Sequence, residues 1–293
     1  MHINNSNYIK KNKGPFFAVL SSLCYGLNNP LAGVALQNGI PTIVSVASRA
    51  FFMFVITLSL IVKGGTKPYV PKDIRYQVLI LAISTCMINL CYVGSINYIS
   101  VSLAAIIFFT FPIQILLVSL LIRKYPMRVS DIFIFLSVFV GLIFVIIPDF
   151  RNINMTGVLL ASIASISATF LYFSASVATQ RCSAVVIGFW VHLFVCPTLL
   201  IILYILNTVI SFDNISLYIP VVLLSICYIG AYFFQMLSLK FTSVVISSLF
   251  FNTEPILTAL AAAFILNERL LFSQYIGGIL IFAALIIVSM RKE

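Results

Sequence analysis

The sequence predicts an all-α polytopic membrane protein with ten transmembrane helices, arranged as two inverted repeats of five helices. Three observations support this fold class. Of the 293 residues, 62% are hydrophobic and only 8% are charged, whereas about 25% of the residues in soluble domains are charged. The apolar residues form ten segments of roughly 20 residues, the length that crosses a bilayer as a helix. The two halves of the chain also resemble each other at a constant spacing.

The internal repeat emerges when the chain is aligned with itself at a shift of 143 residues, without a gap. Gly14 then falls on Gly157, and Pro112 falls on Pro255. Further identical pairs are Ala32 with Ala175, Val34 with Val177, Ala35 with Ala178, Ser95 with Ser238, Phe108 with Phe251, Thr110 with Thr253, Leu142 with Leu285, Ile143 with Ile286 and Val145 with Val288. Because each half carries an odd number of apolar segments, the second half is expected to enter the membrane from the opposite side. Many secondary transporters are built from such inverted repeats, with the substrate path at their interface.

We therefore expect residues 1–150 to form the first five-helix repeat and residues 151–293 the second, together making one transport domain. The predicted spans are residues 16–36, 41–62, 76–98, 100–122, 129–148, 155–179, 182–206, 217–239, 241–266 and 272–290. Several connections between them are only a few residues long, which makes consecutive helices antiparallel neighbours.

The net charge of +10 indicates a membrane orientation rather than a nucleic acid partner, because the basic residues lie in alternate connections. With the amino terminus in the cytoplasm, most of them face inward: Lys10, Lys11, Lys13, Lys63, Lys67, Lys72, Arg75, Arg123, Lys124, Arg128, Arg181, Lys240, Arg291 and Lys292. Only Arg151 and Arg269 face outward, and Arg49 lies within a span. An excess of Lys and Arg in cytoplasmic loops sets membrane topology. The sequence therefore predicts an integral protein of the bacterial inner (plasma) membrane, in contact with lipid, with both termini in the cytoplasm.

Three ionisable side chains fall well inside the predicted spans: Arg49, His192 and Glu254. A charge at the bilayer centre costs about 2.5–3.5 kcal/mol on insertion scales, so such residues are functional candidates by default and are expected to face the bundle interior. Arg49 and His192 occupy equivalent positions at the 143-residue shift. For Arg49, contact with substrate is weighed against a structural bond to free carbonyls or to a neighbouring helix end.

Glu254 and His192 are the candidates for proton coupling. Glu254 precedes Pro255 about midway along span nine, where the first half has Phe111. Its carboxyl group is the leading candidate for loading and releasing a proton; the alternative is a structural clamp, in which the carboxylate pairs with Arg49 or bonds to an unwound backbone. His192 is the second candidate, because an imidazole can exchange protons near neutral pH. Its alternative role is packing, with a hydrogen bond to a backbone carbonyl.

Polar residues at matching depths in the two halves predict a cavity. Asn89 and Tyr92 in span three map onto Tyr232 and Gln235 in span eight. The predicted substrate site comprises Arg49, Asn89, Tyr92, Tyr232, Gln235 and Asn252. Other polar side chains that can line the cavity are Tyr25, Asn28, Asn29, Gln114 and Tyr172. Hydrogen bonding between helices is the alternative explanation for such residues.

Pro112 and Pro255 occupy the same position in the two halves, near the middle of the membrane. Because a proline removes a backbone donor and frees a carbonyl, both residues predict a helix break with a role in gating. The neighbouring phenylalanines are interpreted as lipid-facing bulk rather than as gates, since the chain contains 26 Phe: Phe108, Phe109, Phe111, Phe250 and Phe251.

The sequence indicates that the protein is not an enzyme and uses no cofactor. It contains no HExxH, no GxSxG and no phosphate-cradling GxxxxGK(S/T) motif. The six cysteines lie in or beside apolar segments without CxxC or metal-ligand spacing, so they are interpreted as packing thiols and no metal site is expected. Without a nucleotide-binding motif, any pumping by this chain must use a gradient.

The carboxy-terminal part of the chain carries a recognisable set of motifs: Ser-Leu-Lys-Phe-Thr-Ser at 238–243, Glu254-Pro255, Asn267-Glu268-Arg269, Gln274 and Gly277-Gly278. With these motifs the chain resembles the EamA-type members of the drug/metabolite transporter (DMT) superfamily. Arg49 and Gly26 match recurring family positions, and the ten spans in two inverted halves extend the resemblance over essentially the full length. The first half departs from the pattern, because the counterpart of Glu268 is Tyr125, in Arg123-Lys124-Tyr125-Pro126. No role that requires this acidic residue in both halves is therefore expected.

The resemblance implies outward movement of small metabolites, often amino acids or toxic compounds, and commonly by proton exchange. The main hypothesis is a secondary transporter that exports small polar, amino-acid-like solutes by alternating access, with a proton as the coupling ion. The alternatives are an uptake carrier or uncoupled metabolite exchanger and, from another class, a membrane-embedded lipid-modifying enzyme. That enzyme would need paired acidic residues near the membrane surface, whereas Asp149, Asp213 and Glu268 are scattered. The sequence makes no prediction of the oligomeric state.

Overall fold

A computed structural model of the chain describes residues 5–122, 129–151, 153–208 and 214–290, with the side chains of all of these except 5–12 and 129. The regular elements within these ranges are all helical. The α-helices are α1 (Asn5–Gln37), α2 (Thr42–Lys63), α3 (Arg75–Ser95), α4 (Val101–Phe108), α5 (Phe111–Leu121), α6 (Val129–Ile146), α7 (Met155–Arg181), α8 (Ala184–Ile205), α9 (Ile219–Phe241), α10 (Val244–Phe251), α11 (Glu254–Ile265) and α12 (Phe272–Met290). Short 3₁₀ turns at Lys72–Ile74 and Ile215–Tyr218 precede α3 and α9.

Eight segments of the described chain are helical, long and apolar enough to cross a membrane. They are Thr42–Lys63, Lys72–Ser95, Val101–Leu121, Met155–Arg181, Ala184–Ile205, Ile215–Phe241, Val244–Ile265 and Phe272–Met290. The other two predicted spans coincide with α1 and with α6, whose apolar stretch Ser130–Ile146 is shorter. The prediction of a polytopic membrane protein is therefore confirmed, with eight of the ten spans meeting these criteria.

Several residues singled out from the sequence fall outside the described part. The structure describes no side chain for Lys10 and Lys11, and it does not describe Arg123, Lys124, Tyr125, Pro126, Arg128, Asp213, Arg291 and Lys292. The orientation inferred from these basic residues therefore stays a prediction.

The spans that contain Pro112 and Pro255 are each divided into two helices. α4 ends at Phe108 and α5 begins at Phe111, while α10 ends at Phe251 and α11 begins at Glu254, so each proline is the second residue of the new helix. A proline has no amide to donate to the carbonyl four residues earlier. The carbonyl freed by Pro255 is that of Phe251, and the Ser22 hydroxyl of α1 donates to it at 3.4 Å. The predicted helix breaks are thus present, and a neighbouring helix supplies the missing donor in the second half.

Equivalent serines also begin the two broken spans. The Ser100 side chain accepts a hydrogen bond from the Leu103 amide at 3.2 Å at the start of α4. The Ser243 side chain accepts from the Ile246 amide at 3.3 Å at the start of α10. Serine caps of this kind satisfy an amide that has no partner within its own helix. Since Ser100 and Ser243 are 143 residues apart, the repeat extends to the way its helices begin.

The two halves exchange helices instead of packing as separate bundles. α1 of the first half packs against α9, α10 and α11, and its counterpart α7 packs against α3, α4 and α5. A Cβ placed on Gly14 would lie 2.4 Å from the Thr242 Cβ, and one on Gly157 would lie 2.8 Å from the Ile99 Cγ2. Ile99 and Thr242 are again 143 residues apart, so the two close crossings are equivalent. The interface predicted between the halves is therefore an interface between two mixed groups of helices.

The mixed groups are defined by these packing partners. Group A comprises α1, α2, α9, α10 and α11, and group B comprises α3, α4, α5, α7 and α8. Contacts between α2 and α8 join the groups on one side, while α6 and α12 pack mainly against each other.

α6 and α12 approach each other closely at two glycines. A Cβ placed on Gly277 would lie 2.5 Å from the Gly141 carbonyl oxygen, and one on Gly141 would lie 2.9 Å from the Gly277 carbonyl oxygen. Small residues at a helix contact let two backbones come close within a membrane. This contact therefore depends on the absence of a side chain on both helices.

We expect Gly277→Ala to lower the free energy of unfolding by about 1–3 kcal/mol, because the new methyl group would force the two backbones apart. Gly278→Ala is the matched control, since the nearest atom to a Cβ there is Ile256 Cγ2 at 3.8 Å, an ordinary contact. Thermal unfolding of the purified variants in detergent measures the difference. Equal loss of stability in the two variants would contradict the close α6–α12 contact.

Candidate functional site

A cavity of about 690 Å³ lies between groups A and B. At one end its lining includes Leu36, Ser102 and Glu268, which lie beside or within the connections predicted to face outward. At the other end it reaches Phe251 and Glu254, at the break between α10 and α11. None of the lining residues comes from the connections 64–71, 182–183 or 242–243 at the opposite end of the helices. Among the described residues, the lining of the cavity therefore reaches one end of the bundle only.

Arg49 of α2 is held in the wall of this cavity by one side chain from α1 and one from α3. Its Nη1 donates to the Asn28 Oδ1 at 3.2 Å, and its Nη2 donates to the Asn89 Oδ1 at 2.6 Å. The guanidinium carbon also lies 5.1 Å from the centre of the Tyr228 ring, within the range of a cation–π contact. The Nε has no hydrogen-bond partner in the described part of the chain. Arg49 is therefore fixed in position while part of its donor capacity is unused.

The two asparagines that hold Arg49 are themselves anchored to the backbone. The Asn28 Nδ2 donates to the Leu224 carbonyl of α9 at 2.9 Å, and the Asn89 Nδ2 donates to the Thr85 carbonyl at 2.7 Å. These bonds fix the orientation of each amide so that its oxygen faces Arg49. The guanidinium is thus held by two side chains that are themselves fixed, so it is organised without any further partner.

Glu254 reaches the same cavity from the first residue of α11. Within the described chain it forms neither an ion pair with Arg49 nor a hydrogen bond. The clamp considered from the sequence, in which Glu254 pairs with Arg49 or bonds to an unwound backbone, is therefore wrong for this structure. The amides at the start of a helix favour a negative charge at this position. The carboxylate therefore has neither an ion-pair nor a hydrogen-bond partner among the described residues.

The structure brings seven of the ten predicted site residues to the cavity: Arg49, Asn89, Tyr92, Tyr232, Gln235, Glu254 and Pro255. Among them, Gln235 accepts a hydrogen bond from the Tyr25 hydroxyl at 3.4 Å, and the Tyr232 hydroxyl is buried without a partner in the described chain. The polar cluster expected from matching depths in spans three and eight is thus assembled on both walls.

Asn252, His192 and Pro112 lie behind the cavity wall. The Asn252 side chain is 1% exposed, and its amide donates to the Ser248 and Leu249 carbonyls. His192 is fully buried, with Nδ1 at 2.9 Å from the Gly188 carbonyl and Nε2 at 3.1 Å from the Tyr228 hydroxyl. Pro112 is buried in the first turn of α5. These three residues support the wall instead of facing the interior space.

An aromatic layer forms the floor of the cavity, and it includes phenylalanines that the sequence interpretation assigned to lipid. The rings of Tyr92 and Phe108 are 5.3 Å apart, those of Phe111 and Tyr172 are 5.1 Å apart, and Phe251 lies 5.9 Å from Tyr172. Phe109 also lines the cavity, while Phe250 is buried. The lipid-facing interpretation was wrong because the helix breaks beside Pro112 and Pro255 turn these rings inward.

Sequence reasoning missed several cavity residues, of which Tyr228, Ser45 and Thr258 are examples. Each lies one helical turn from a residue that it did identify. Tyr228 precedes Tyr232 by four positions, Ser45 precedes Arg49 by four, and Thr258 follows Glu254 by four. Residues four apart lie on the same face of a helix. Applying this spacing to each candidate would have found all three.

Comparisons with known proteins agree with the two-copy arrangement. The model of the EamA-like transporter family matches residues 12–147 and again residues 155–290. The second match begins and ends 143 residues after the first, which is the shift of the internal repeat. A search of curated proteins finds no match.

The fold is similar to that of solved structures. One of them, titled only "Crystal structure of protein", is 14% identical in sequence and superposes with a TM-score of 0.77. The match covers 96% of this chain and 96% of that chain. At this identity the likeness concerns the fold alone, whereas the two family matches span nearly the whole sequence. The chain therefore belongs to the EamA-like transporter family of the drug/metabolite transporter superfamily.

Proposed function

We propose that the protein is a secondary active transporter that exports small polar, amino-acid-like metabolites by proton-coupled alternating access. The observation that carries this proposal is that Arg49 and Glu254 face one cavity without pairing with each other. Burying opposite charges in a membrane protein is costly when they do not neutralise each other. A solute that brings its own charges to both groups explains why the chain keeps them.

The cavity favours a solute that carries both an anionic and a cationic group. Arg49 lines the cavity with a guanidinium plane that Asn28 and Asn89 hold fixed, which suits a carboxylate. Glu254 offers an unpaired carboxylate to an ammonium group or to a proton. Tyr92 and Gln235 add further polar side chains to the lining. A volume of about 690 Å³ lies within the usual size of small-molecule sites.

Alternating access is supported by the way the inner end is closed. The Gln180 Nε2 of α7, in group B, donates to the Lys240 carbonyl of α9, in group A, at 3.0 Å. The Trp190 Nε1 donates to the Pro68 carbonyl at 2.9 Å, so the connection between α2 and α3 is attached to α8. We propose that rocking of group A against group B breaks such contacts and closes the opposite end.

The proposed coupling group is Glu254, because it is a titratable side chain that a solute in the cavity can touch. His192, the second candidate from the sequence, is less suited because both of its ring nitrogens are already bonded and it does not line the cavity. An uptake carrier or an uncoupled exchanger would use the same cavity. No observation favours the lipid-modifying enzyme: Asp149 is paired with Arg151 at 2.9 Å, far in sequence from Glu268.

The solute can be identified by comparing the metabolites of cells with and without the chain. Candidates that differ are then tested in proteoliposomes that contain the purified protein. We expect counterflow of at least one amino-acid-like metabolite, together with its accumulation under an imposed pH gradient. If no small polar metabolite exchanges, the transport proposal fails; exchange without any response to the gradient leaves the uncoupled exchanger.

We also propose that the two repeats have inverted topology, with both termini in the cytoplasm of a bacterial cell. Each repeat contributes five predicted spans, and the equivalent contacts of Gly14 and Gly157 support a two-fold relation. Reporters that are active only in the cytoplasm are expected to work at both the amino and the carboxyl end. A reporter placed after residue 150 is expected to be inactive. Activity at only one terminus would rule out the inverted arrangement.

A further inference from the structure

His192 lies outside the cavity but is linked to it through one side chain. The imidazole is fully buried. Its Nδ1 is 2.9 Å from the Gly188 carbonyl oxygen, and its Nε2 is 3.1 Å from the Tyr228 hydroxyl. The Tyr228 ring meets the imidazole edge-on, with ring centres 5.8 Å apart. Tyr228 itself lines the cavity.

The Gly188 carbonyl determines which atoms donate and which accept in these two hydrogen bonds. A carbonyl oxygen only accepts, so the hydrogen of the imidazole must sit on Nδ1. In the neutral ring Nε2 then carries a lone pair, and the Tyr228 hydroxyl must be the donor. The hydrogen bond made by one ring nitrogen thus determines the role of the other. Both polar atoms are satisfied in this single arrangement.

Tyr228 is therefore held at its hydroxyl by His192 while the face of its ring supports Arg49. The guanidinium carbon of Arg49 lies 5.1 Å from the ring centre. On its other side, Tyr228 meets Tyr25 edge-on at 6.0 Å. Aromatic faces attract cations through their negative potential. A rotation of the Tyr228 ring would remove this support and leave Arg49 with Asn28 and Asn89 alone.

We propose that His192 is a positioning residue: as a neutral imidazole protonated on Nδ1, it fixes Tyr228 so that the phenol ring holds the Arg49 guanidinium in its binding orientation. The importance of this for transport rests on the proposed function, in which Arg49 binds the solute. Arg49 and His192 are equivalents in the internal repeat. Arg49 thus lines the cavity, while its equivalent His192 lies behind the cavity wall and contacts Tyr228.

Nitrogen NMR on the full-length protein in lipid nanodiscs tests the first step. The chain has two histidines, so the His2→Gln variant leaves one labelled imidazole. We expect a protonated Nδ1 and an unprotonated, hydrogen-bonded Nε2. Tyr228→Phe should shift the Nε2 signal towards that of a free nitrogen. The matched control is Tyr232→Phe, which removes a neighbouring hydroxyl without a partner in the described chain and should leave the signal unchanged. A proton on Nε2, or no response to Tyr228→Phe, overturns the proposal.

The second step is tested on the Arg49 side-chain signal, assigned by its disappearance in Arg49→Lys. His192→Leu is expected to shift this signal, because Tyr228 loses the acceptor that holds its ring against the guanidinium. His192→Gln should restore it, because a glutamine oxygen can accept from Tyr228. If His192→Leu does not accumulate, Tyr228→Phe replaces it, since it removes the same hydrogen bond. An unchanged Arg49 signal in a folded variant refutes the positioning role. These signals are recorded without solute, so they decide the inference independently of the transport assay.

Discussion

Glu254→Gln is expected to abolish accumulation of solute against a pH gradient while preserving exchange of solute across the membrane. Glutamine keeps the size of the side chain and one carbonyl oxygen that can accept from the solute's ammonium group, but it cannot take up or release a proton. If one proton is coupled to each solute, a gradient of one pH unit can drive up to about tenfold accumulation. The variant should show no accumulation in response to the pH gradient, whereas counterflow of labelled solute should continue.

Proteoliposomes with an imposed pH gradient provide the measurement, and Glu268→Gln provides the matched control. Glu268 lines the end of the cavity that is predicted to face outward and is exposed, so the same change there removes a charge at a solvent-exposed position instead of at the break between α10 and α11. Gradient-driven accumulation should persist in Glu268→Gln. If wild type and Glu254→Gln respond equally to the gradient, Glu254 does not couple protons.

The sequence predicted the fold well because the physical rules that produce it are local. Each span needs about 20 apolar residues, and the observed helices follow the predicted spans closely. The breaks at Pro112 and Pro255 were also predictable, because a missing amide disrupts a helix in any environment. Arg49 and Glu254 were identified by the cost of a charge in lipid, which depends on residue type alone.

The remaining features depend on tertiary contacts that a linear pattern does not contain. The exchange of α1 and α7 between the halves is determined by close packing at Gly14 and Gly157. The inward orientation of Phe108 and Phe251 depends on the angle at each helix break. The pairing of His192 with Tyr228 joins residues 36 positions apart, on helices whose rotation about their own axes the sequence leaves open.

The same contacts explain why cation and carboxylate stay apart. Asn28 and Asn89 occupy the Arg49 nitrogens that would otherwise reach for the nearest carboxylate. Glu254 begins its own helix, where amide dipoles favour its charge. Each charge is thus stabilised by its own surroundings, although α2 and α11 both belong to group A. In the proposed function, a solute that fits both charges occupies the space between them.

Arg49→Ala is expected to raise the concentration of solute needed for half-maximal flux by about 10- to 150-fold, since hydrogen bonds to charged groups contribute about 1.5–3 kcal/mol. The substitution removes a guanidinium that Asn28, Asn89 and Tyr228 hold in one orientation. Arg49→Lys should recover little of it, because an ammonium group cannot bond both asparagine oxygens and keep a planar pair of donors for a carboxylate.

Counterflow at a series of solute concentrations measures this effect, with the membrane abundance of each variant determined in parallel. Arg75→Ala is the control, because Arg75 is exposed at the start of α3 and its one side-chain hydrogen bond to a described residue is with the Val70 carbonyl, at 3.4 Å. It should behave as wild type. A variant at position 49 that is abundant and transports with unchanged affinity would show that Arg49 serves the fold alone. Full recovery by lysine would show that charge is sufficient and that the orientation set by the asparagines and Tyr228 is not needed for binding.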